Sequence, residues 1–320
     1  MIFDRTGCAA DGLYVTGLPW SPVYLLDGAR PVLFEAGFAC MGRHYVEGIR
    51  SVVKEKRPEI LFLTHVHWDH CGGTSYIRES FPGIKVAASE RAASIIKRPN
   101  AQNLIKTLSK DVMSFINKYY GISLTGMLDD PFKPFNVDMV LEDGQTIGVD
   151  EDLSVRVIAT PGHTRDHLSY YIPERKILIA TESSGVQDRV GTIVPEFLVD
   201  YDMYVASLKR LMEFPAEVLC QGHHFVFVGR EEVNNFLARS LREAEHFKTH
   251  VLELLRSGNG SIEEAARKVK AEQYDRNPGP KQTEKAYLLN LRSRITHLAE
   301  RFHNGQQSNE TVPAAGRREI

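Results

Sequence analysis

The feature that most restricts this chain is a set of apolar runs that end on metal-ligand side chains. Ile60 to Thr64 is a near-continuous apolar run, as expected of a strand buried on both faces, and it leads straight into His65-Val66-His67-Trp68-Asp69-His70-Cys71-Gly72-Gly73. Three histidines and an aspartate within six positions cannot all point one way on a helix or a strand. The stretch is therefore expected to be a loop at a strand end. Neutral imidazoles and a carboxylate suit zinc, iron or manganese, and four such groups can begin two coordination spheres. Asp69 fits either a second metal or the general-base role of a hydrolytic reaction.

The pattern recurs downstream. Val155 to Thr160 ends on Pro161-Gly162-His163, Lys176 to Ala180 on Thr181-Glu182, and Glu217 to Cys220 on Gln221-Gly222-His223-His224. Strand ends of a sheet are where ligands converge. One site built from several strand ends is expected, not a scatter of polar loops.

The rest of the chain supplies a frame for that edge. Short β runs at Leu13-Tyr14-Val15, Val23 to Leu26 and Val32 to Phe34 are separated by turn signals. A helix is expected over 44–55, a second from Gly73 to Ser80, a strand over 84–88, and a helix capped by Ser89. From 90 to 120 the apolar residues Ile105, Leu108, Val112 and Ile116 recur at helical steps, and 121–134 reads as a loop. The segment 90–134 is read as an insertion folded over the site. Leu168 to Ile172 is a further strand, and a helix is expected over 201–213. Beyond Gly229 the pattern turns helical over 231–256, again from Ser261, and over 283–302 after the break Asn277-Pro278-Gly279-Pro280. The expected division is a hydrolase-like domain over 1–229, a helical extension over 230–303 that covers the active site, and a disordered tail over 304–320 with no apolar periodicity.

Composition excludes some partners. A formal net charge of −2 and pI near 6.6 give no basic field of the kind a nucleic-acid binder shows. No run of apolar residues is long enough for a membrane span, and Met1 to Gly7 lacks a basic n-region, so a cytoplasmic location is expected. Cys8, Cys40, Cys71 and Cys220 form no CxxC pattern and are expected to be reduced.

Thr64 to Gly73, followed in order by Gly162-His163, Glu182 and Gly222-His223, resembles the motifs of the metallo-β-lactamase-fold hydrolase superfamily. The resemblance spans roughly Leu13 to Val228. It implies an αββα sandwich and two divalent metal ions, zinc foremost, with iron or manganese as alternatives. It assigns His65, His67 and His163 to one ion, and Asp69, His70 and His223 to the other. Glu182 would bridge them, where the family more often has aspartate. Glu35 stands where the family more often places an aspartate that orients the site. The segments Ala88 to Arg91, Asp166 to Tyr171 and Asp202 to Leu208 are similar to the subgroup of the quinolone signal response thioesterase, whose C-terminal helices close over the metals. No substrate is carried over from that likeness.

The chemistry expected of such a centre is hydrolysis by a water that two ions share and bring towards an ionisation near pH ~7. No Gly-x-Ser-x-Gly elbow occurs, so no serine nucleophile is required. Asp69 and Glu182 are the expected catalytic groups, orienting that water or relaying its proton. The substrate class expected is an ester or thioester of a small acyl group, with a homodimer left open. A phosphodiesterase is the alternative, favoured by a basic pocket around Arg43, Arg165 or Lys281. A binding module that keeps the metals is the other. His167 and His224 are read as oriented structural histidines.

Overall fold

The computed structural model describes residues 1–129, 132–277 and 281–310, with side chains through residue 300. Side-chain alternation along the strands decides its layers. In Ser21–Leu26, Val23 and Leu25 join one apolar cluster while Tyr24 and Leu26 join another. Leu61 and Phe62 divide in the same way, and so do Leu219 and its neighbours Val218 and Cys220 on the other sheet. Strands buried on both faces must sit between two apolar layers.

Two seven-stranded sheets result. The N-terminal sheet runs in the order Gly7–Ala10, Leu13–Leu18, Ser21–Leu26, Val32–Phe34, Ile60–Phe62, Lys85–Ser89, Met139–Leu141. The other runs Ile2–Phe3, Val226–Val228, Val218–Cys220, Ile177–Ile179, Leu168–Ile172, Leu153–Ala159, Thr146–Asp150. One cluster fills the space between the sheets, while helices Gly42–Val53, Thr74–Ser80 and Pro99–Tyr120 pack outside the first. Helices Tyr201–Leu211, Arg230–Ser257, Ile262–Val269 and Glu284–Glu310 pack outside the second. The architecture is the expected αββα sandwich with C-terminal helices.

Parallel pairing aims the strand ends. Val32–Phe34 pairs parallel with Ile60–Phe62, and Ile177–Ile179 pairs parallel with Val218–Cys220. Their C-terminal ends therefore lie side by side within each sheet. The sheets are also stitched to one another there: Leu168 N–H donates to Thr64 O at 2.8 Å, Tyr170 O–H to Leu63 O at 2.6 Å, and Tyr24 O–H to Gln221 O at 2.6 Å.

Several expectations change. The ligand stretch is a loop only as far as His67, because Trp68–Cys71 forms a helical turn. The helix expected from 90 breaks at 96–98, with Pro99 opening the second helix, where its missing N–H costs nothing. Ile2–Phe3, Gly7–Ala10, Thr146–Asp150 and Val226–Val228 were not anticipated as strands; each has five residues or fewer and little alternation. The last helix continues to Glu310, so 304–310 is helical rather than a disordered tail. Tails of that composition take up a helix when they continue one already nucleated. The break at Pro278-Gly279-Pro280, the loop residues Asp130 and Pro131, and the tail from 311 lie outside the described residues. No helix among the described residues is long and apolar enough to cross a membrane. The four cysteines are unpaired thiols, and Cys40, Cys71 and Cys220 are buried.

Tyr170→Phe removes only the hydroxyl that binds Leu63 O. Urea unfolding is expected to show a loss of about 1–3 kcal/mol, the penalty of an unsatisfied buried acceptor; an unchanged midpoint would show that this stitch contributes nothing to stability.

Candidate metal centre

Four strand ends and one helical turn deliver seven side chains to one edge of the sandwich. His65 and His67 follow Ile60–Phe62, and Asp69 and His70 lie on the turn Trp68–Cys71. His163 follows Leu153–Ala159, Glu182 follows Ile177–Ile179, and His223 follows Val218–Cys220. The backbone around them is held at close quarters. Ala36 N–H donates to His70 O at 2.6 Å, and Gly73 N–H to Gly37 O at 3.2 Å. Val66 N–H donates to the buried carboxylate of Asp166 at 3.0 Å.

Four overlapping sets of potential ligand atoms lie within 4.8 Å of one another among the described residues: Glu35, His65 and His70; His65, His167 and Glu182; and two sets with no member in common, His65, His67 and His163 on one side and Asp69, His70 and His223 on the other. Glu182 stands between them. Its Oε1 lies 3.1 Å from His70 Nε2 and 3.2 Å from His223 Nε2, and its Oε2 lies 3.9 Å from His65 Nε2. Asp69 Oδ2 is 3.6 Å from His223 Nε2.

Hydrogen bonds at the far side of the rings fix which nitrogen faces inward. Nδ1 of His163 meets Glu196 O at 2.6 Å, Nδ1 of His223 meets Trp20 O at 2.5 Å, and Nδ1 of His70 meets Glu35 Oε2 at 2.8 Å. Carbonyl and carboxylate oxygens accept, so these rings place their hydrogen on Nδ1 and, when neutral, turn the lone pair of Nε2 to the centre. The second oxygen of Glu35 accepts Thr64 N–H at 2.9 Å. Glu35 thus holds the ligand loop and His70 together, as its position in the sequence suggested. His167 is not available in this way: its nitrogens meet the hydroxyls of Thr160 at 3.0 Å and Thr181 at 2.9 Å.

Whether a cation suits this pocket is decided by what the protein leaves unsatisfied. Both oxygens of Glu182 and Nε2 of His65 are buried and meet no partner in hydrogen-bond geometry. A buried carboxylate in that condition is costly unless a positive charge meets it. The donors suit a divalent cation in kind. The electrostatics divide the rings. Burial would lower His70 and His223, but Glu182 and Asp69 raise both. Burial would likewise raise the Glu182 carboxyl, but these two rings outweigh it and hold it well below the usual range, supplying the positive charge that a bound ion would replace. Burial, with His70 and His67 nearby, pushes His65 down. Burial also lowers His163, leaving neutral rings able to ligate. Burial holds His167 and His224 down to about 3.

Residues 21–223 match the metallo-beta-lactamase superfamily domain, well over half of the chain. The chain belongs to the metallo-beta-lactamase superfamily. It is similar to "Glyoxylase B2" of Dictyostelium discoideum, 30% identical over 172 residues, which are 52% of this chain and 50% of that one. It is also similar to a hydroxyacylglutathione hydrolase of Yersinia enterocolitica, 25% identical over 206 residues, 64% of this chain and 63% of the other. The chain thus spans less than two thirds of the length of these relatives. In fold it resembles a superfamily protein from Sulfolobus tokodaii, with a TM-score of 0.57 and 19% identity over 91% of this chain and 99% of that one. A Thermus thermophilus protein of the metallo-beta-lactamase family gives a TM-score of 0.60 at 18% identity, covering 93% and 95%.

In this superfamily member the site opens into a cleft of about 590 Å³, within the usual size range of small-molecule sites. The insertion supplies Ile95, Ala101, Leu104, Ile105 and Leu108 to one wall, and the last helix supplies Ala286, Tyr287 and Leu289 to another. The insertion is at once core and wall, since Ile105, Val112 and Ile116 are buried against the N-terminal sheet and Phe115 packs on Trp20 at 4.7 Å. Of the basic residues weighed for the pocket, Arg165 and Lys281 line it and Arg43 does not. Lys281 is engaged: its ammonium donates to Tyr274 O and, at 2.8 Å, to Asn277 O.

Some contributors left no signal in the sequence. Trp20 and Glu196 act through backbone carbonyls, which residue type does not reveal. Helix Glu284–Glu310 grips the segment that orients His163, with Arg294 donating to Pro195 O at 3.0 Å and Ser293 to Leu198 O at 2.7 Å. His224 lines the cleft with a buried, unpartnered Nδ1.

Gly222 admits no side chain, because a Cβ there would lie 1.8 Å from Glu182 Oε1. Gly222→Ala is expected to displace Glu182 and sharply lower the metal content found by elemental analysis. Gly148→Ala, where a Cβ meets nothing within 4 Å, is the control. Equal metal content in both variants would rule out a role for Glu182 in holding the ions.

Proposed function

We propose that the protein is a dinuclear metal-dependent hydrolase of acyl thioesters or esters. His65, His67 and His163 would hold one divalent ion, and Asp69, His70 and His223 the other, with Glu182 placed to serve both. Zinc suits the nitrogen-rich set, and iron or manganese is compatible with it. The ions, when bound, supply Lewis acidity and a water that ionises near neutral pH.

The chain's own groups then do the following. Glu182 places a carboxylate between the two ligand sets. Asp69, partly exposed beside His223, accepts a proton on the carboxylate oxygen that does not face the ligand set. The apolar wall from the insertion and the last helix receives the acyl group and excludes bulk water from the carbonyl. Attack forms a C–O bond, the C–S bond breaks, and the acid and the thiol leave. A thiolate needs little protonation to depart, so no strong general acid is required beside it.

The observation that carries this reading is the apolar wall of Ile95, Leu104, Ile105, Leu108, Ala286 and Leu289, which shares the cleft with the candidate ligands. The names of the relatives, a glyoxylase and a hydroxyacylglutathione hydrolase, support the same class of substrate. The partner expected is therefore a small acyl compound.

The purified protein is expected to carry close to two equivalents of metal and to hydrolyse an acyl-coenzyme A faster than a p-nitrophenyl phosphodiester. Asp69→Asn should lower kcat by roughly 10²–10⁴-fold, the usual range for losing a general base, and should also reduce the metal content. Preference for the phosphodiester would establish the alternative chemistry. Metal without activity on either substrate would favour the binding-module reading.

A further inference from the structure

Outside the candidate ligand set, three basic side chains on the cleft have no protein partner among the described residues. Arg91, Arg98 and Arg165 all line it. All three are exposed, and among the described residues none of their guanidinium groups makes a hydrogen bond or ion pair. A single unpaired surface arginine is ordinary. These three are brought to one cleft by the fold. The hydroxyl of Ser89 donates to Asp166 O at 2.9 Å and also caps the helix Glu90–Ile95. That contact sets Arg165, beside Asp166, against the helix turn that carries Arg91. Arg98 stands at the start of the next helix, Pro99–Tyr120.

Among the described residues, none of the acids in the cleft wall is paired with these arginines. Asp166 accepts Val66 N–H at 3.0 Å. Asp188 accepts from Val190 and Thr192 at 3.0 and 2.9 Å and from Asn277 at 2.9 Å. Glu182 and Asp69 belong to the candidate ligand set, and Glu196 is buried. The arginines thus share the cleft with an apolar wall that includes Ile95 and the exposed Leu104.

We propose that Arg91, Arg98 and Arg165 form an anion-binding rim that holds the charged carrier of the substrate's thiol, while the acyl group lies along the apolar wall. The proposal rests on the thioester reading above and adds the chemical class of the leaving thiol: one attached to several negative charges. Phosphate groups suit the rim best, because the planar fork of a guanidinium meets two phosphate oxygens at once. Carboxylates of a peptidic thiol share the same chemistry. An exposed rim acts through long-range attraction, which salt screens over about 8 Å at physiological ionic strength.

The test uses the metal-loaded protein and one acyl group on three thiols: coenzyme A, which bears phosphates; glutathione, which bears carboxylates; and neutral N-acetylcysteamine. The wild type is compared with an Arg91→Gln/Arg165→Gln variant, and thermal melts confirm that both are folded. The ratio of kcat/KM for a charged thioester over the neutral one is expected to fall about tenfold in the variant, a change of ~1.4 kcal/mol. The fall should appear in KM and shrink as salt is raised. Whichever charged arm loses more identifies the carrier as phosphate- or carboxylate-bearing. An unchanged ratio on both charged arms overturns the rim. Should no thioester be hydrolysed, the thioester reading fails by itself, and calorimetric binding of free coenzyme A and glutathione still decides the rim. About tenfold weaker binding of either in the variant supports it. Binding equal to wild type, or no binding to either protein, overturns it.

Discussion

A buried carboxylate ringed by imidazoles governs this site. Glu182 lies among His65, His70 and His223 with both oxygens unsatisfied, an arrangement that costs several kcal/mol unless positive charge is brought to it. The surroundings are shaped to keep it there. Gly222 leaves the space it occupies, and the preceding Thr181 adopts a φ of 42°, strained for a β-branched residue. Thr181 is held there by its hydroxyl contacts with His167 and Thr64. Strain of this kind persists only where the neighbours over-determine it.

The same economy orients the imidazoles. Each of His70, His163 and His223 is fixed by an acceptor from a different part of the chain: Glu35, Glu196 O and Trp20 O. The acceptors sit on elements with other packing duties. The ring of Trp20 packs at 4.9 Å on Phe38 and at 4.7 Å on Phe115 of the insertion. The Pro195–Leu198 segment is pinned by the last helix through Arg294 and Ser293. Walls and ligands of the cleft are thus mechanically connected. A change in either helical layer reaches the imidazoles through one hydrogen bond.

The candidate ligand residues were legible because metal chemistry demands rare residue types at strand ends. The run from Ile60 into His65-Val66-His67-Trp68-Asp69-His70, and the later Gly-His pairs, are local patterns. The strands that carry them are buried on both faces and read as apolar runs. The short edge strands Ile2–Phe3 and Thr146–Asp150 were not legible, since pairing with a neighbour rather than composition makes them strands. The acceptor carbonyls of Trp20 and Glu196 were hidden for a similar reason. Every residue has a carbonyl, and only the fold decides which one meets an imidazole.

The sequence by itself therefore determined the seven side chains that the structure gathers, which are written in residue type at strand ends, and, through the resemblance of those motifs to a known superfamily, the family and the αββα architecture. Tertiary structure alone decided their grouping around Glu182, the tautomers of the rings, and the cleft where apolar helices meet a basic lip. It also decided that Arg165 faces that cleft while Arg43 does not. Those features depend on contacts between segments up to about two hundred residues apart, such as Trp20 with His223, and such contacts follow from how the two sheets pack rather than from any local pattern.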